Sequence, residues 1–144
     1  MVTRKLFGEL EMEKISKYSY SKKISISRNY GKIEEAIEIA LEAKEEYPDE
    51  NIFEKFLGDL YFQENNYEAA GMAYIEFLIK INDNVEYVKH FAQFLDRYSE
   101  AGQDINGYLS KIKKILDTKI RNQDVIAAIC EIMSHYIELP QLSL

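Results

Sequence analysis

The sequence predicts an all-α chain of about seven to eight helices, and three observations predict it. Apolar residues recur at three- and four-residue spacing nearly throughout, the period of a helix buried along one face. Only 6 Gly and 2 Pro occur in 144 residues, so obligatory breaks are few and helices are long. The breaks that do occur, at Pro48, Asn65-Asn66, Asn82-Asp83-Asn84 and Gly102, lie where helix ends are expected.

The N-terminal stretch is the hardest to read. Residues 18–27 alternate tyrosine or isoleucine with serine or lysine, which suits a strand as well as a helix. A lone strand would leave its backbone groups unpaired, so context favours a helix. From Lys32, residues Ile33, Ala36, Ile37, Ala40, Leu41 and Ala43 form one stripe, with glutamates on the other face and an end at Pro48. Asp49 is then the expected N-cap of a helix carrying Ile52, Phe53, Phe56, Leu57, Leu60 and Tyr61 inward.

Asn65, with Glu68 three residues later, is the expected cap of the next helix, whose inward residues are Tyr67, Ala70, Ala73, Tyr74, Phe77, Leu78 and Ile81. Asp83 and Glu86 have capping-box spacing before Tyr87, Val88, Phe91, Ala92, Phe94 and Leu95. After a turn-rich stretch over 99–107, a helix is expected from about Asp104 to Thr118, with its lysines outward. Asn122 or Asp124 opens a last helix, to about 138, through Val125, Ile126, Ile129, Ile132, Met133 and Tyr136. Its apolar residues spread over more than one face, so it is expected either to cap the stack or to form a two-fold dimer contact.

A length of 144 suits a single domain that buries about two-thirds of its unfolded surface. The net charge of −7 is unevenly spread. Residues 1–30 carry 7 basic and 3 acidic groups, 31–66 carry 3 and 11, and the remainder 8 and 11. An acidic middle argues against nucleic-acid affinity. The tyrosine-bearing basic stretch from Lys17 to Tyr30 reads as aromatic packing within a first helix, and the acidic run Glu34 to Glu50 as a solubilising face. The start has charges where a secretory signal needs an apolar core, and the longest apolar run, Val125 to Cys130, is far short of a membrane span. A cytoplasmic protein is expected.

Catalytic and metal constellations are missing from the sequence. Ser134 and His135 are adjacent on a helix and so point about 100° apart. Cys130 and His135 have no further ligands at metal spacing, His90 is isolated, and the glycines are too scattered for a phosphate loop. Cys130, flanked by Ala127, Ala128, Ile129 and Ile132, reads as core. No enzyme activity, cofactor or metal is expected.

The segment Asn51 to Asn84 resembles a tetratricopeptide repeat, a helix pair of about 34 residues with the pattern W-x2-L-G-x2-Y, A-x3-F and P. Leu57-Gly58, Tyr61, Tyr67, Ala70 and Tyr74 fall on matching positions, and Gly58 and Ala70 stand where the paired helices cross. Units 17–50 and 85–118 match in part. Glu54 replaces the Trp, Phe77 a small alanine, and Asn82 the Pro. The resemblance implies a right-handed α-α superhelix of antiparallel helix pairs in one domain, 1–144, ending in a capping or dimerisation helix.

It also implies that the protein binds a peptide or helix of a partner in a concave groove. By resemblance the groove residues are Ile52, Lys55, Asp59, Phe62 and Gln63, then Glu86, Lys89, Gln93, Asp96 and Arg97. The alternative role is a helical regulatory or oligomerisation domain of a larger enzyme or signalling protein. One subfamily clamps chaperone C-termini with Lys and Asn, but Phe56, Ser21 and Ser25 occupy clamp positions and Lys89 alone matches, so no chaperone-tail binding is expected.

Overall fold

A computed structural model describes residues 15–81 and 84–137. They form seven α-helices: α1 Lys17–Asn29, α2 Ile33–Glu46, α3 Ile52–Gln63, α4 Tyr67–Lys80, α5 Val88–Glu100, α6 Ile105–Thr118 and α7 Gln123–Ser134. A single 3-10 turn, Val85–Tyr87, precedes α5, and the described residues contain no strand. The ambiguous N-terminal stretch is helical because the helical period alone gathers Tyr20, Ile24 and Ser27 onto one buried face.

Side-chain caps set four helix starts. Ser16, Asn66, Asp104 and Asn122 accept from the backbone N–H groups of Ser19, Ala69, Gly107 and Val125, each cap stabilising by about 1 kcal/mol. The cap of α4 is therefore Asn66, one residue later than expected, since Asn65 adopts φ 64° to turn the chain. Asp49 does not cap α3, which begins after Asn51 without a side-chain cap. Asp83 lies outside the described residues. Asn84 beside it accepts from Glu86 N–H and opens the 3-10 turn.

The first helix pair, α1–α2, repeats in the second, α3–α4. Both ends of α4 lie 34 residues beyond those of α2. The turn inside each pair repeats too: Gly31 (φ 76°) and Asn65 (φ 64°) are left-handed, and Lys32 N–H donates to Ser27 as Asn66 N–H does to Tyr61, both at 2.9 Å. This is a Schellman closure, in which a left-handed residue lets the chain satisfy the last carbonyls of the helix. Gly102 (φ 80°) closes α5 the same way, with Gln103 N–H donating to Tyr98, three residues later than the 34-residue spacing requires.

Each helix packs on the next through α6, and α1 also touches α3, α4 touches α6 and α5 touches α7. Two buried clusters result. The first centres on α1, α2 and α3 with Tyr20, Ile24, Ala40, Phe53, Leu57 and Leu60. The second spans α4 to α7 with Tyr74, Phe77, Phe91, Phe94, Tyr108 and Ile129. Phe77, at an expected alanine position, packs its ring against Tyr74, Tyr87 and His90, so the added bulk meets the 3-10 turn and the first turn of α5.

Three sequence expectations are corrected. Leu41 is exposed because the buried stripe of α2 runs through Ala36, Ile37, Ala40 and Ala43. Cys130 is exposed, since α7 buries Val125, Ile129 and Met133 and the next residue after Ile129 points about 100° away. Tyr18 and Tyr30 are exposed, so of the tyrosines in α1 only Tyr20 packs in the core. Ile126 and Ile132 of the last helix, and Tyr136 just beyond it, are partly buried against the second cluster, while Leu139 to Leu144 lie outside the described residues.

Gly58 is required by its neighbour. A Cβ there would lie 2.4 and 2.5 Å from two atoms of the Tyr74 ring, far inside van der Waals contact, and the ring is held in a filled core. Gly58→Ala should therefore destabilise the protein by about 1–3 kcal/mol. Urea unfolding monitored by circular dichroism checks this, and a neutral or stabilising effect would contradict it.

Candidate partner-binding face

Asp59 on α3 organises the residues expected to line a groove. Although nearly buried, its carboxylate accepts from Tyr74 Oη of α4 at 2.6 Å, Lys55 Nζ at 2.9 Å and Arg97 of α5 at 2.9 Å. Three helices meet at one anion. Lys55 reaches Asp59 because residues four apart share a helix face. Tyr74 reaches it across the space that Gly58 leaves empty, and Arg97 comes from the following pair.

Phe62 lies beside this cluster. Its ring meets Tyr67 and Phe94 edge-on, and the Arg97 guanidinium sits 5.2 Å above it. Arg97 thus bridges a carboxylate and an aromatic face, which fixes a side chain that otherwise has many rotamers. Gln63 accepts from Arg28 Nε of α1 at 3.0 Å. Asp96 accepts a hydrogen bond from Tyr136, just beyond α7. Lys89 and Gln93 are exposed on α5.

The ten expected groove residues therefore divide. Lys55, Asp59, Phe62 and Arg97 are brought together; Gln63 and Asp96 tie α3 to α1 and α5 to the end of α7. Lys89, Gln93 and Glu86 face solvent. Ile52 packs against the first core cluster and Phe62 against the second, so neither is a free apolar contact. Sequence reasoning missed Tyr74 as a polar partner and Arg28 as a tie. The signal for Tyr74 was present: a hydroxyl at a position expected to be buried needs a buried acceptor, and Asp59 was the acid at hand.

Protonation follows from this geometry. Burial pushes the Asp59 carboxyl up, but the Tyr74 hydroxyl, Lys55 and Arg97 together outweigh it and hold it below the ordinary carboxylate value. The same contact, with burial as the main cause, raises the Tyr74 hydroxyl well above its usual value. Burial, then the Lys55 and Lys89 charges, lowers His90, which favours its neutral form. His90 Nδ1 is buried without a hydrogen-bond partner, against the Tyr87 and Phe77 rings.

A second buried carboxylate lies on α3. Glu54, at the signature Trp position, is fully buried and bonds Lys80 Nζ of α4 at 2.8 Å, with Lys44 Nζ of α2 at 3.6 Å. Among the described residues there is no group of His, Cys, Asp and Glu fit to hold a metal, and no helix long and apolar enough to cross a membrane.

Comparison with protein-family models, with curated proteins and with solved structures gives no match.

Because the folded Asp59 is the stronger acid, its contribution to stability is present above its ordinary value of 3.8 and is lost as pH falls through the lower folded value. Asp59→Asn should cost about 2–4 kcal/mol at neutral pH, where it leaves Arg97 and Lys55 without their anion. The gap between variant and parent should narrow steadily below pH of about 4. Denaturation curves across that range check it, and a gap independent of pH would contradict it.

Proposed function

We propose that the protein is a binding module of the tetratricopeptide-like kind, a right-handed superhelix of antiparallel helix pairs whose first helices present one face to a segment of a partner protein. The observation that carries this reading is a chain of polar ties linking alternate helices. Arg28 to Gln63 joins α1 to α3, Asp59 to Arg97 joins α3 to α5, and Asp96 to Tyr136 joins α5 to the end of α7. Ties between alternate helices support a shared face of the kind that a stack of helix pairs uses to receive extended peptides or helices.

The repeated turn geometry supports the same reading, since helix ends and turn hydrogen bonds recur after 34 residues. Along this face the buried cluster at Asp59 is the rigid floor, and Lys89 and Gln93 are the exposed reading groups. Floor residues fix the shape, whereas rim residues meet the partner. Binding rather than catalysis is the role that such an arrangement serves, and the case rests on geometry and resemblance together.

Capture of partners from the native cell extract tests the proposal. The double variant Lys89→Glu, Gln93→Glu should lose the partner that the parent retains, while Lys113→Glu, on the exposed side of α6, should keep it. Both variants should melt at the parent temperature, because all three side chains are exposed. Retention by the double variant with loss in Lys113→Glu would move the binding surface elsewhere.

A further inference from the structure

The 34-residue register gives each residue of the α1–α2 pair a counterpart in the α3–α4 pair. One surface cleft of the first pair has counterparts that are covered. The cleft, about 640 Å3, opens between α1 and α2 and is lined by Ile15, Tyr20, Lys23, Ile26, Ile39 and Glu42 among others. Thirty-four residues on, Tyr20, Lys23, Ile26, Ile39 and Glu42 correspond to Glu54, Leu57, Leu60, Ala73 and Glu76.

Those counterparts form the seat of α2. Leu57, Leu60 and Ala73 share a buried cluster with Ala36, Ile37, Ala40 and Ala43 of α2. Lys44 of α2 meets Glu54 at 3.6 Å and Glu76 at 2.9 Å. Leu60 is 0% exposed under this helix, whereas its counterpart Ile26 is 50% exposed. An isoleucine half in water at a position built for burial marks a seat whose helix is missing among the described residues.

We propose that this cleft docks an amphipathic helix of a partner protein with the chemistry of α2. The occupant carries small or aliphatic side chains at i, i+1, i+4 and i+7, as α2 does at Ala36, Ile37, Ala40 and Ala43, and a lysine at i+8, as at Lys44. Charge complementarity selects it. Glu42 stands where Glu76 receives Lys44, and accepts one bond from Tyr20 Oη at 3.2 Å, which leaves lone pairs for an incoming ammonium. The proposal rests on the packing register and not on the face described under Proposed function, so either can fail without the other.

The test uses the full chain and a fluorescent synthetic peptide of residues 31–47, the sequence of α2 itself, followed by anisotropy. Saturable binding is expected. Ile26→Glu should weaken it at least about tenfold by placing a charge against the peptide's apolar face, with the melting temperature unchanged because Ile26 is already half exposed. A peptide with Lys44→Glu should bind as weakly, and Glu42→Lys in the chain should restore it. Absence of saturable binding, or binding indifferent to Ile26→Glu, overturns the proposal. So does a shift of the Ile26 and Ile39 methyl resonances on Leu6→Glu, which would make residues 1–14 the occupant. A concentration-dependent dimer abolished by Ile26→Glu would assign the cleft to a second copy and overturn it equally.

Discussion

The Tyr74 side chain is the constraint on which the rest of the structure depends. Its ring fills the hollow that Gly58 leaves on α3, stacks on Phe94 of α5 with centroids 4.2 Å apart, and carries its hydroxyl to Asp59. One residue therefore sets the closeness of the second helix pair, the angle at which α5 arrives and the ionisation of a buried acid. Asp59 then draws in Arg97, and Arg97 covers Phe62. Packing and electrostatics at this point are a single arrangement, because removing either the ring or the anion leaves the other without its support.

Glu54 and Asp59 sit five residues apart on α3 and divide its work. Asp59 binds forward, to α4 and α5; Glu54 binds backward and sideways, to α2 and α4. Buried charge of this kind adds little net stability, since desolvation offsets most of the Coulomb gain. Its effect is to specify neighbours. Each carboxylate is matched by cations from defined helices, so a slipped register would bury an unpaired charge.

Much of this was legible in the sequence where a local rule decides the outcome. The helix expected from about Asp104 to Thr118 is α6, where Asp104 caps the start and Tyr108, Leu109 and Ile112 are buried at helical spacing. The 34-residue unit was expected from the resemblance at Leu57-Gly58, Tyr61, Tyr67, Ala70 and Tyr74, and the bounds of α2 and α4 recur at that spacing. Caps were misplaced where a turn residue competed for the role: Asn65 and Asn66 both suit a cap, and only the closure of the preceding helix decides that the first turns and the second caps. Cys130 and Leu41 were misread because each adjoins a buried stripe, and which edge residue is buried depends on the neighbouring helix rather than on the period. The tie between Asp59 and Arg97 spans 38 residues and had no local signal at all.

The central claim is that Tyr74 couples the second helix pair to α5. Native-state hydrogen exchange on Tyr74→Phe measures this directly, because the substitution keeps the ring and removes only the bond to Asp59. The account predicts reduced protection in α3, α4 and α5 together, with α1 and α6 little changed. Loss of protection confined to α4 would contradict it.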